Sequence, residues 1–389
     1  MTAVAKGTIV GALACQRDSY LKSFTSSVLS CTPVEKTARK AQKSKNRDVE
    51  EPQMYEIELE NTILFPEGGG QPADKGQMLF ADDSAAVSDV QRKNLRAIHY
   101  VDKPIEAGTK VNLTLDWRRR LDHMQQHTGQ HLLSAVLDKY ELPTLSWSMG
   151  DVINYIEVPR KLTNEEIQAV TDEVNDAILA EYPINAQYPD SNSETDDVDL
   201  EKGIMRVIRI GELDANPCCG THLNSTGHIK AIVLLNQFAG KSGASRLNFL
   251  CGDRIIKYTS DLHEITKKLM NTLSGSFEDL DFKASFVVEQ GKKSAQRANA
   301  LSLELATLKA QEVKKEIQEG KPVAFVYRPD GDLNFINTIY KEVGDLGTST
   351  IVLITGELKQ AGALIVAGEK TTEIVDQLKK LLKTLKGGG

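Results

Sequence analysis

The stretch HMQQHTGQH, residues 123–131, places histidines at 123, 127 and 131, one every four residues. On a helix, residues four apart share a face, with Cβ atoms about 5–6 Å apart. Two imidazoles so placed converge on one ion at the ~2.0–2.1 Å that zinc takes from nitrogen. The spacing accepts His123 with His127, and equally His127 with His131. Such a pair on its own is more often solvent-facing or a satisfied core pair than a metal site.

A second element changes that balance. CCGTH, residues 218–222, supplies thiolates and an imidazole within one turn, with a glycine for tight bending. Cys218 to His222 is again a four-residue step. Thiolate and imidazole donors together favour zinc. HxxxH plus CxxxH makes a complete four-ligand set. The rival reading, a free catalytic cysteine at 218 or 219, needs a lowered pKa that sequence does not display.

The rest of the composition sets the class. The chain has 389 residues, 40 % hydrophobic and 26 % charged, ordinary for globular domains. The net charge of −7 excludes a wholly basic nucleic-acid coat but not a local basic patch. The five cysteines are odd in number and widely spaced, which argues against a disulfide framework and for a reducing, cytoplasmic setting. No run reaches the ~20 apolar residues of a membrane span. TIVGALAC (8–15) reads as a strand rather than a signal peptide.

Patterning predicts an α+β chain in four parts. Residues 1–115 are β-rich and barrel-like, with strands in MYEIELENTILF (54–65), AIHYVD (97–102) and KVNLTLDW (110–117). Residues 116–253 form a mixed domain around the two ligand motifs. It holds a helix from Arg118 to about Tyr140, a second over 163–182 with Thr163 and Glu166 as a capping box, and strands at 204–210, 228–240 and 245–252. Residues 254–320 read as a helical hairpin or coiled-coil connector. Residues 321–389 read as a small α/β unit. EKTARKAQKSKNRDVEE (35–51) and DSNSETDDVDLEKG (190–203) read as charged loops.

HTGQHLL (127–133) followed at a distance by CCGTH resembles the editing domain of alanyl-tRNA synthetases and of the freestanding alanyl-tRNA editing proteins of the AlaX type. FPEGGGQPADKG (65–76) resembles that family's glycine motif. By itself this is only a sharp, glycine-rich turn that lacks the GK[ST] ending of a nucleotide loop. RVIRIGELDANPCCGTHL (206–223) follows the family's strand-then-ligand pattern. The resemblance covers roughly residues 1–255 well. It implies His127, His131, Cys218 and His222 as ligands of one zinc ion, leaving His123 and Cys219 outside. Cys219 stands where the family has glycine. The C-terminal region resembles the synthetase's connector and C-terminal domain more weakly. LKTLKGGG ends where that domain would continue, so a truncated chain is expected.

The resemblance further implies hydrolysis of the aminoacyl ester on alanine tRNA wrongly charged with serine or glycine, without aminoacylation, because no amino-acid-activating domain precedes the barrel. A zinc-bound water, Thr128 and Gln130 are the expected catalytic groups. Gln71, Asp74, Thr221, Gly69 and Gly70 are the expected substrate contacts, and Thr128 is the first candidate for reading the serine hydroxyl. The alternative for Thr128 is a local capping or packing role. Arg118, Arg119, Arg120, Arg206, Arg209, Lys241 and Arg246 are the expected tRNA contacts, with the 36–47 cluster reaching the acceptor stem. Most charge runs are simply solvated faces. Four protein ligands also mark structural zinc. A zinc-stabilised tRNA- or partner-binding protein without hydrolysis is therefore the second expectation. A zinc peptidase comes last, for want of HExxH.

Overall fold

The computed structural model of the chain describes residues 7–35, 53–188, 198–199, 203–204, 206–357 and 361–381. The basic cluster at 36–47 and most of the acidic loop at 190–203 lie outside the described residues. The architecture is α+β. The chain divides into two compact units, Met1–Glu264 and Ile265–Gly389.

The first unit begins with a one-turn helix α1 (Ala14–Arg17) rather than the strand expected over 8–15. Gly11 takes φ +100°, and the Gln16 side chain accepts hydrogen bonds from Gly11 and Leu13 N–H groups, so the apolar run curls. Strands β1 (Ser23–Pro33), β2 (Tyr55–Leu59), β3 (Gly76–Phe80), β4 (Asp83–Lys93), β5 (Arg96–Val101) and β6 (Lys110–Leu115) follow. They close into a barrel in the order β1-β2-β5-β4-β3-β6, every neighbour antiparallel. Inward residues such as Ile57, Met78, Val90, Val101 and Leu113 fill it. The β3–β4 hairpin escaped sequence reading because its alternation is weak: small Ala85 and Ala86 carry the strand, not large β-branched residues.

Leaving the barrel, Asp116 accepts from Arg119 N–H and caps helix α2 (Trp117–Asp138). This helix is buried on every side from His123 to Leu137, not along one stripe as its apolar residues imply. Most of its buried polar residues are bonded, His123 Nδ1 being an exception. Gln126, for example, donates to Cys251 O and accepts from Asn154 and from Cys251 N. Gly129 lets the helix meet a sheet strand closely, since an added Cβ would lie 2.3 Å from Cys251 Sγ.

After α2 come β7 (Ser146–Ser148), β8 (Asn154–Val158), α3 (Asn164–Leu179), β9 (Ile184–Gln187), the short pair β10 (Val198–Asp199) and β11 (Gly203–Ile204), β12 (Val207–Ile210), β13 (Asp214–Pro217), β14 (Ile232–Ala239) and β15 (Ser245–Cys251). They form sheets of order β13-β12-β9 and β14-β15-β8-β7. The Thr163–Glu166 capping box is present on α3.

Helix α4 (Asp253–Leu273) leads out of the first unit. The second unit contains α5 (Leu280–Gln318), β16 (Val323–Arg328), α6 (Leu333–Val343), β17 (Thr350–Thr355), β18 (Ala363–Gly368) and α7 (Thr371–Leu381). β16 and β17 are parallel, β17 and β18 antiparallel. Ala306, Ala310 and Val313 of α5 pack with Phe335, Ile336 and Ile339 of α6 over this sheet. Among the described residues, no helix is long and apolar enough to cross a membrane.

Candidate metal centre

The centre of α2 meets two loops. One is the glycine turn between β2 and β3, the other the turn after β13. In the first, Gly68 and Gln71 exchange both backbone hydrogen bonds at 3.1 Å. The two residues between them, Gly69 (φ +62°) and Gly70 (φ +82°), lie in the left-handed region that glycine enters freely. The Gly70 backbone lies against the Trp147 indole, 2.8 Å from where a Cβ would sit.

The second turn is clamped from beneath. Arg206 is buried and donates to the carbonyls of Cys218, Gly220 and Gln16. Gln16 donates to Cys219 O at 2.7 Å. Gly220 admits no side chain, because a Cβ there would lie 2.2 Å from His127 Cε1.

These constraints bring His127, His131, Cys218 and His222 together, with one donor atom from each all within 4.8 Å of one another. Cys218 Sγ lies 3.4 Å from His127 Nε2 and 3.2 Å from His222 Nε2. Donors bound tetrahedrally at zinc distances stand about 3.5 Å apart, so these edges fit such an ion. The four residues could hold a metal ion. His123 and Cys219 are not in the cluster.

The charge balance suits a cation. Burial would raise the Cys218 thiol, yet His127 and His222 bring it well below its ordinary range. Burial alone would lower His131, but Asp214 and Cys218 lift it to about 9. Burial takes His222 down to about 3.

Each imidazole is also held from behind. His127 Nδ1–H donates to Gln71 Oε1 at 2.9 Å. That same oxygen accepts from Thr221 N–H, while Gln71 Nε2 donates to Thr221 Oγ1. His222 Nδ1 faces Thr128 Oγ1 at 3.3 Å, and Thr128 Oγ1 also accepts from Leu223 N–H. His131 Nδ1 faces Asp214 Oδ2 at 3.6 Å. Partners of this kind fix tautomer and ring orientation in metal-ligating histidines.

The other expected residues scatter. Gln130 donates to Ser134 on its own helix. Asp74 is fully buried, paired with Arg120 and accepting from Phe65 N–H, so it fastens the glycine loop to α2. Arg120 spends its remaining donors on Ser19 O and Ile63 O. Buried Arg120 and Arg206 therefore present no surface to a phosphate, contrary to the expectation of tRNA contacts. Arg118 and Lys241 are exposed, while Arg119, Arg209 and Arg246 are half-buried. Arg119 donates to Ala73 O, and Arg246 pairs with Glu157 across Tyr155.

Sequence reading missed Asp214, Gln16 and Trp147. Asp214 stands four residues before Cys218, the only available hint. Trp147, whose ring centroid is 4.9 Å from that of His127, gave no signal at all.

The comparisons place this geometry. Residues 20–119 match the family described as tRNA synthetases class II (A), and residues 205–248 match the threonyl and alanyl tRNA synthetase second additional domain. Two segments of the chain thus match domains of class II tRNA synthetases. The chain is 38 % identical to the putative alanyl-tRNA editing protein alaX of Saccharomyces cerevisiae, over 98 % of this chain and 91 % of that one. It is 35 % identical to the alanyl-tRNA editing protein Aarsd1 of Danio rerio, over 97 % and 92 %. It is 30 % identical to AlaX-L of Pyrococcus horikoshii, over 86 % and 85 %. The chain belongs to the AlaX/Aarsd1 family of alanyl-tRNA editing proteins.

Proposed function

We propose that this protein is a zinc-dependent trans-editing hydrolase, which cleaves the ester joining serine or glycine to alanine tRNA. The carrying observation is the cluster itself: three imidazoles and a cysteine sulfur converge where the glycine turn, α2 and the CCGTH turn meet. Sulfur with imidazole nitrogen is a zinc donor set. His127, His131, Cys218 and His222 hold one ion per chain, which when bound supplies Lewis acidity toward an ester carbonyl or water.

The remaining roles belong to the chain's own groups. Gln71 holds His127 and the Thr221 backbone in register. Thr128 and Thr221 accept hydrogen bonds through their oxygens and keep their own O–H protons to donate. They are the groups able to read a serine hydroxyl, and a site built to bond that hydroxyl discriminates against the analogue lacking it. Trp147 packs against Gly70 and beside the His127 ring. Arg118, Arg209, Lys241 and Arg246 are the remaining basic residues for phosphate contacts.

One observation favours a second reading. Four protein donors fill a tetrahedral shell, the mark of structural zinc. On that reading the chain binds tRNA or a partner without hydrolysing it. The deciding experiment incubates the full chain with serine-charged and alanine-charged alanine tRNA and measures metal content on the same sample. Serine release without alanine release or tRNA charging, abolished in folded His131→Ala, supports the hydrolase. Retained zinc with no release supports the binding protein.

A further inference from the structure

The three imidazoles of the cluster have unequal outer partners. Behind His127 is a neutral amide, behind His222 a neutral hydroxyl, and behind His131 a carboxylate. That carboxylate, Asp214, lies on β13 with its side chain 9 % exposed. Its Oδ1 accepts from Asn216 Nδ2 at 2.5 Å, which aims the other oxygen inward. Oδ2 is buried and has no hydrogen-bond partner, while standing 3.6 Å from His131 Nδ1. A buried, unpartnered carboxylate oxygen carries a desolvation cost that only a donor or a nearby cation relieves. A small closure of this gap would give Oδ2 the His131 Nδ1–H as its donor, and would leave Nε2 to face the centre.

We propose that Asp214 is a positioning residue that makes His131 the anchoring ligand of the metal centre. Once the gap closes, that hydrogen bond fixes the tautomer with Nε2 unprotonated. The negative charge raises the basicity of that nitrogen beyond what the amide and hydroxyl give the other two rings. The inference rests on the metal reading of the cluster, but not on hydrolysis.

The test titrates the full-length chain with Zn(II) against a chromophoric chelator and, separately, follows thermal unfolding of the metal-stripped chain. Asp214→Asn retains an acceptor and loses the charge. It should weaken Zn(II) binding by about 10- to 100-fold without lowering the unfolding temperature of the stripped chain. Asp214→Glu, whose longer side chain spans the gap, should recover most of the affinity. Unchanged affinity in Asp214→Asn overturns the proposal, as does a loss matched by lower stability of the stripped chain. Unchanged affinity with a raised KM for aminoacyl-tRNA would instead assign Asp214 to the substrate's ammonium group. A wild-type chain that takes up no Zn(II) defeats the metal reading itself.

Discussion

Gln71 Oε1 stands 2.9 Å from His127 Nδ1, so the glycine turn that follows β2 directly holds a member of the metal cluster on α2. The same oxygen takes the Thr221 N–H at 3.0 Å, drawing the CCGTH turn into the arrangement. One amide thus ties three segments that are far apart in the chain. Gln71→Ala orphans two buried donors, and leaving such a group unpaired costs about 1–3 kcal/mol. The expected result is a destabilised chain that binds Zn(II) about 10- to 100-fold more weakly. Gln71→Glu keeps the acceptor and should lose less. Denaturant unfolding and chelator competition measure both.

Gly129→Ala sets helix propensity against packing. Propensity alone favours alanine by about 1 kcal/mol. The new methyl, however, would sit 2.3 Å from Cys251 Sγ and 3.2 Å from its Cβ, on a buried strand. Overpacking of this kind costs about 1–3 kcal/mol. The variant should be less stable than the wild type, and Cys251→Ala in the same chain should restore part of the loss. A gain in melting temperature for the single variant would show that the helix and strand move apart readily.

The arginines at 118 and 120 should separate cleanly. Arg120→Ala leaves the Asp74 carboxylate buried without its partner, a change worth about 3–5 kcal/mol. Its signature is lost stability. Arg118 is exposed. Arg118→Ala should leave the melting temperature alone, weaken tRNA binding, and reduce the salt slope by about 1. Filter binding across a salt series, with thermal unfolding alongside, distinguishes the two.

Acid should weaken the barrel through His99. This ring is fully buried between Ile57 O and the Thr62 hydroxyl. Burial lowers its pKa from 6.5 to about 4. Between those values the unfolded chain binds a proton that the folded barrel refuses, so stability falls as pH drops. The contribution is complete above 6.5 and is lost progressively down to about 4. A shift of this size corresponds to about 3 kcal/mol. Urea unfolding at pH 7.5 and 4.5 should show a larger acid loss in the wild type than in His99→Gln. Equal losses would refute the assignment.

The two candidate ligand motifs could be read from the sequence because each is local, although spacing accepted His123 as well as His131 and only the family resemblance chose between them. Four-residue steps on a helix or in a tight turn put side chains on one side whatever the rest of the chain does. The strands at 55–59, 96–101 and 110–115 were legible for the same reason, as short-range alternation. What failed was nonlocal. The curl at 10–17 depends on Gln16 folding back over Gly11, and the burial of α2 on all sides depends on sheets contributed from residues far along the chain.

By itself, then, the sequence determined which short motifs could supply metal ligands. Period-two and period-four patterns constrain geometry within a few residues. Only the tertiary structure decided what surrounds them. It turned Arg120 and Arg206 from surface charges into internal clamps, made Gly220 the space that His127 occupies, and set Asp214 behind His131. Burial and desolvation arise from the packing of distant segments, and no spacing along the chain encodes them.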